Sequence, residues 1–202
     1  MDYYPLFVDL RGRPCLVVGE TRLAEEKAAG LEKAGAVVIR QAEFRPESVG
    51  EVFLVVADVD EETAARVLDF SESRRIFANV VDKPAWCSFI MPAVLERGEL
   101  AVTIGTGGRS PALSGWLKRR LDRELGFEYA AVVKALGRTR AEVRERIPSY
   151  DGRRTFYAEL FEKGFVEGAK SKTAEQLSEE ILAFLEAFSP CESSLEKPVP
   201  SP

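Results

Sequence analysis

The 202-residue chain carries 28 Lys and Arg against 33 Asp and Glu, a net charge of −5, and 46% of its residues are hydrophobic. That balance suits a soluble globular protein and excludes a global basic field that would hold nucleic acid or an anionic membrane. Histidine is absent, which removes the usual proton shuttle and the commonest metal ligand, so acid–base work falls to carboxylates or hydroxyls.

The opening "MDYYPLFVDL" lacks the basic-then-apolar pattern of a signal peptide. No apolar run approaches the roughly 20 residues that a membrane span needs. Cys15, Cys87 and Cys191 show no paired spacing and read as reduced thiols, so a cytoplasmic protein is expected.

In chain order, four apolar runs come first: "CLVVG" (15–19), "AVVI" (36–39), "VFLVVA" (52–57) and "IFANVV" (76–81). Short, continuous and β-branched, they predict strands buried on both faces of a parallel sheet. Between the first two, Leu23, Ala24, Lys27, Ala28, Leu31 and Ala34 recur at helical spacing and Gly35 follows as a stop. A second helix begins at Asp60 as N-cap and sets Ala64, Val67, Leu68 and Ser71 on one face. Alternating strands and helices predict a doubly wound α/β sheet. The rhythm then changes. "CSFIMPAVLERGELAVTIGTGG" reads as two strands joined at "ERGE", and four helical stretches follow: "PALSGWLKRRLDREL", 128–146, "DGRRTFYAELFEKGF" and "TAEQLSEEILAFLEAF". The proline- and serine-rich tail, 189–202, is expected to be disordered.

Three stretches can carry chemistry. In the first turn, Gly19, Thr21 and Ala24 stand where a dinucleotide fingerprint places its three small residues, although the fingerprint has glycine at the middle position. Thr21 would cap the helix and offer a hydroxyl to a phosphate, or the stretch is a plain capped strand–helix turn. Glu43 is the acid nearest to where a ribose-binding carboxylate belongs. Next, Asp82 follows the fourth strand beside Pro84, Trp86 and Phe89. There it is either a partly desolvated general base or an ordinary turn residue before Lys-Pro. Third, "GTGGRSPALSGWLKRR" joins glycines, Arg109 and a helix opened by Ser110 and Pro111. That is either an anion site or a well-capped helix with a solvated basic face.

Taken together, "PLFVDLRGRPCLVVG", "AEEKAAGLEKAGA", "ESRRIFANVVDKPAWCSFIMPA" and "GELAVTIGTGGRSPALSGWLKRRL" closely resemble the precorrin-2 dehydrogenase family, the dehydrogenase and ferrochelatase module of sirohaem synthases. "NVVD…SFIMPA" and "GG-x-SP" are the most specific parts. The resemblance implies oxidation of precorrin-2 to sirohydrochlorin with NAD, and in some members metal insertion. It also implies a homodimer with a Rossmann domain (1–105), a central dimerisation segment (106–147) and a helical C-terminal portion (148–188). It puts the catalytic aspartate on Asp82 and substrate contacts on Asn79, Gly108, Arg109 and Ser110. Nucleotide contacts fall on Gly19, Thr21, Arg22, Leu23, Ala42, Glu43, Ala57 and Asp58, and no residue is assigned to a metal. Two other readings compete: a chelatase or tetrapyrrole carrier with a decayed nucleotide site, and a non-catalytic dimeric sensor. The family turn reads Gly-Gly-Gly where this chain has Gly19-Glu20-Thr21. The added side chain and negative charge predict weakened NAD binding.

Overall fold

The computed structural model describes residues 3–189. Cys191 and all of the expected disordered tail except residue 189 lie outside the described residues. The chain divides into two compact units, Met1–Pro92 with Gly105–Pro111, and Ala93–Ile104 with Ala112–Pro202.

The first unit holds β1 (Pro14–Val18), α1 (Arg22–Lys33), β2 (Val37–Gln41), β3 (Leu54–Ala57), α2 (Glu61–Arg74) and β4 (Phe77–Val80). The strands are all parallel, in the order β2-β1-β3-β4. Side chains alternate across a strand, and here each face finds its own helix. Cys15, Val17, Leu54 and Val56 cluster with Ala24, Ala28 and Leu31 of α1. Leu16, Val18, Val55 and Ala57 cluster with Val67 and Phe70 of α2. Cover on both faces is why these strands read as unbroken apolar runs, and the expected doubly wound architecture is the one that forms.

Two details depart from expectation. The "AVVI" pattern predicts burial on both faces, but β2 is an edge strand and its Val37 is 56% exposed. On α2 the inward face uses Phe70, whose ring meets Phe44 edge-on at 5.4 Å, while Leu68 is only half-buried. The caps follow the sequence. Thr21 Oγ1 accepts from the Ala24 N–H at 3.0 Å and Asp60 Oδ1 from the Thr63 N–H at 2.8 Å, each bond contributing about 1 kcal/mol.

The second unit contains an antiparallel hairpin, β5 (Ala93–Arg97) and β6 (Leu100–Ile104), with α3 (Pro111–Glu124, its first residue belonging to the other unit), α4 (Glu128–Arg146), α5 (Tyr150–Glu162) and α6 (Ala174–Ala187). Val143, Phe156, Leu177 and Ile181 are fully buried in its core. Arg97 is a buried cation that sequence patterning did not reveal. Its Nε donates to Leu125 O at 2.7 Å, and its Nη2 to Asp122 O at 3.1 Å and Asp122 Oδ1 at 2.7 Å. One guanidinium thus satisfies carbonyls that the end of α3 leaves without intrahelical donors. Among the described residues, no helix is long and apolar enough to cross a membrane.

Arg138 of α4 is bonded to Glu175 at the start of α6, and that hydrogen bond holds the Glu175 carboxyl at about 2, against an ordinary 4.5. A depressed carboxylate pKa contributes stability above the unfolded value that is lost as pH falls through the folded one. The tie should therefore weaken between about pH 4.5 and 2, modestly because both groups are solvated. Helical circular dichroism during acid titration checks this: Glu175→Gln should flatten that part of the curve.

Candidate active site

The carboxyl ends of the four strands finish on one level. Gln41, Val18, Ala57 and Val80 are register partners across the sheet. Backbone bonds carry the alignment one residue further, from Gly19 N to Gln41 O, Asp58 N to Val18 O and Val81 N to Ala57 O, each 2.9 Å. The chain leaves β1 toward β2 on one side and returns to β3 on the other, so the gap between β1 and β3 is the topological switch point where open α/β sheets bind ligands.

Gly19 and Thr21 line one side of that point and Asp58 the other. Gly19 has φ +113, and a Cβ added there would lie under 3.0 Å from the Asp58 carbonyl oxygen, so only glycine fits. The Thr21 hydroxyl donates to Asp58 Oδ2 while accepting from Ala24. This latch ties the first turn to the end of β3. Ala24 is fully buried, as the helix–strand packing position of a dinucleotide turn requires. The N-terminus of α1 therefore has the form of an anion site, with Glu20 and Asp58 adding negative charge at its mouth. These residues fit a dinucleotide.

The other expected cofactor contacts lie on the same rim. Ala42 and Glu43 follow β2 and are exposed, and Glu43 pairs with Arg45 at 3.1 Å. Ala57 ends β3, fully buried. Arg22 and Leu23 open α1, with Arg22 bonded to Glu26 at 2.9 Å along the helix.

Asp82 stands two residues beyond β4 in a left-handed conformation, φ 58, which Asp and Asn tolerate better than most residues. Its side chain is exposed at the surface of the turn, so the partial desolvation expected of it is not developed here: the loop folds back on β4 and leaves the tip of the turn outward. Asn79 Nδ2 donates to Phe89 O at 2.9 Å, so this amide holds the loop. The third stretch meets the second here: consecutive left-handed glycines, Gly107 (φ 62) and Gly108 (φ 77), run past Pro84, with the Gly108 Cβ position 3.7 Å from Pro84 Cγ. Thr106 closes that turn, its carbonyl accepting from the Arg109 N–H and its hydroxyl from the Ser110 N–H, each at 3.1 Å. Arg109 is exposed and α3 starts at Pro111.

An open hollow of about 470 Å³ in the same unit lies at the opposite ends of the strands, lined by Asp9, Arg11, Arg13 and Phe53 among others. Asp9 and Arg11 neutralise each other there, and the Arg13 guanidinium stacks on Phe53 at 4.9 Å. The rim, with its glycine turns and strand-end carboxylates, is the better candidate. Sequence reasoning missed the Thr21–Asp58 latch and two fastenings of the loop after β4, the Cys87 sulfur against Val80 O and Lys83 O and the Ser88 hydroxyl accepting from Ala78 N. Bonds from side chain to backbone across a loop leave no periodic trace.

Known proteins match in two blocks. An NAD(P)-binding family model matches residues 6–40 and 37–93, and the sirohaem synthase dimerisation region matches residues 128–185. Siroheme synthase 2 of Klebsiella pneumoniae subsp. pneumoniae is 36% identical over 183 residues, covering 80% of this chain and 40% of that protein. The siroheme synthase of Sodalis glossinidius is 35% identical over 208 residues, covering 88% and 44%. The chain thus spans less than half the length of these curated relatives. A solved structure titled "SirC, precorrin-2 dehydrogenase" shares the fold, with a TM-score of 0.67 at 20% identity over 92% of this chain and 100% of that one.

Fold and matches define a two-part protein, an NAD(P)-binding α/β domain followed by a dimerisation region. More particularly, the chain carries an NAD(P)-binding region and the sirohaem synthase dimerisation region, and is similar to siroheme synthases along most of its length.

Proposed function

We propose that the chain is an NAD-dependent precorrin-2 dehydrogenase that works as a homodimer and yields sirohydrochlorin. The observation that carries this reading is the meeting, on one sheet rim, of the strand-end carboxylate Asp82 and the Gly107–Gly108 turn at Pro84. The Gly19–Thr21 turn ends β1, two strands away, a distance of about 10 Å by strand spacing.

Each group has a role its chemistry suits. The N-terminus of α1 receives the pyrophosphate. Glu43, after β2, accepts from a ribose 2′-hydroxyl and repels a 2′-phosphate, which selects NAD over its phosphorylated form. NAD, when bound, supplies the hydride acceptor. Asp82 takes the proton that leaves the macrocycle with that hydride, a task the histidine-free chain must give to a carboxylate. Precorrin-2 is a polycarboxylate, so Arg109 and the amides of the Gly108–Ser110 turn bind its acidic arms, with Asn79 ordering the loop beneath.

The test mixes the folded protein with enzymatically made precorrin-2 and NAD and follows the absorbance of sirohydrochlorin and NADH together. Absence of NADH would overturn the reading. The altered turn adds a second expectation. Replacing a threonine N-cap by glycine costs only a few tenths of a kcal/mol, so Thr21→Gly should stay folded. With the side chain gone from the pyrophosphate approach, calorimetric titration should show NAD bound about five- to tenfold more tightly, about 1 kcal/mol. Equal affinity would show that Thr21 does not obstruct the nucleotide.

A further inference from the structure

The loop after β4 is fastened by a side chain that the proposed chemistry does not use. Lys83 N donates to Val80 O at 3.2 Å, which closes a four-residue turn with Asp82 in its third position. The positive φ of Asp82 is what a type II turn demands there. The Cys87 sulfur touches both ends of this turn: it accepts from Val80 N at 3.3 Å and lies 3.2 Å from Val80 O and 3.3 Å from Lys83 O, the two carbonyls open to its proton. Asn79 Nδ2 reaches the same sulfur at 3.6 Å and Phe89 O at 2.9 Å. Ser88 Oγ accepts from Ala78 N at 2.7 Å, and Ser88 N donates to Ala78 O at 2.9 Å, which pins the returning strand of the loop along the edge of β4. On the outer side, the Lys83 ammonium sits 4.7 Å from the centre of the Trp86 ring.

We infer that Cys87 is a positioning residue for Asp82: its thiol, aided by the Asn79 amide, clamps both ends of the turn and fixes the direction in which the carboxylate points. The inference rests on the reading of Asp82 as the acid–base group. Thiol hydrogen bonds are individually weak, but a single sulfur here joins residues on either side of the left-handed aspartate, so its loss frees both flanks at once. Burial raises the Cys87 pKa above its ordinary 9.0, so near neutral pH the thiol keeps the proton it donates. A thiolate would instead face the two carbonyl oxygens and push the turn open. Cys87 is thus a structural thiol.

Steady-state kinetics of the full chain with precorrin-2 and NAD test this, alongside amide hydrogen exchange. Cys87→Ala should lower kcat about tenfold and leave both KM values within about twofold, because binding groups stay in place while the carboxylate wanders. Cys87→Ser, which can donate to the same carbonyls, should recover most of the rate. Exchange at Lys83 and Cys87 should quicken in Cys87→Ala while amides of α1 and α2 keep wild-type protection. If Cys87 acts only through Asp82, adding Cys87→Ala to Asp82→Asn should cost nothing further. Wild-type kcat in Cys87→Ala, or a loss that simply adds to that of Asp82→Asn, would overturn the inference while the reading of Asp82 stands. A fully active Asp82→Asn would instead remove the reading itself. Should Cys87→Ala fail to fold, Cys87→Val, which keeps the side-chain volume but cannot bond the two carbonyls, carries the same kinetic and exchange comparison against Cys87→Ser.

Discussion

Asp82→Asn should leave the chain folded and lower precorrin-2 turnover about 10²- to 10⁴-fold, the usual worth of a positioned acid or base. At about 1.4 kcal/mol per tenfold, that is about 3–5 kcal/mol of barrier. The backbone explains the choice of asparagine. At φ 58 most L-residues are strained by roughly 1–2 kcal/mol, whereas Asn and Asp visit this region with local hydrogen-bonding help. Asp82→Asn therefore removes the proton acceptor and keeps the turn. Asp82→Ala should lose comparable activity and also melt earlier, because alanine has neither the carboxylate nor the tolerance. Rates from NADH absorbance, read beside thermal unfolding, separate the two effects. Turnover by Asp82→Asn within about threefold of the parent, far short of what a positioned base supplies, would exclude the aspartate from proton transfer.

Gly19→Ala should damage both the fold and the cofactor site. Two penalties coincide at this position. The backbone has φ +113, and the new methyl would press against the main-chain carbonyl of Asp58 rather than a side chain that could swing away. Backbone strain of about 1–3 kcal/mol combines with overpacking of similar size, so a loss of about 2–6 kcal/mol is expected in urea unfolding of the sheet unit. The carboxyl ends of β1 and β3 must part to admit the methyl, breaking the Asp58 N to Val18 O bond and the Thr21–Asp58 latch. NAD affinity should therefore fall at least about tenfold. Stability within about 0.5 kcal/mol of the parent, the range of an ordinary surface change, would mean that the turn yields more readily than its geometry implies.

How much was legible beforehand follows from which interactions are local. The β1 and β3 runs, the caps Thr21 and Asp60, and the helix opening at Pro111 were readable, because each depends on residues within one turn or one strand. The edge status of β2 was not, since strand order is decided by pairing between segments far apart in sequence. Phe70 took the place assigned to Leu68 because its partner, Phe44, comes from a loop 26 positions earlier. The site shows the same division. The "NVVD" and "GG-x-SP" stretches located the rim through family resemblance. The outward setting of Asp82, the Thr21 bond across 37 residues and the sulfur beneath the aspartate turn needed coordinates. Arg97 is the extreme case, a residue that reads as solvated charge and turns out to be interior.

Because the four parallel strands stop level with one another, the segments beyond them are free to drift in sequence without disturbing the layer beneath. Glu20 and Thr21 illustrate this: neither is glycine, yet Gly19 beside them still bonds to Gln41 and the sheet continues unbroken. Substitutions at this corner of the molecule can thus change what the turn presents and leave the architecture beneath it intact.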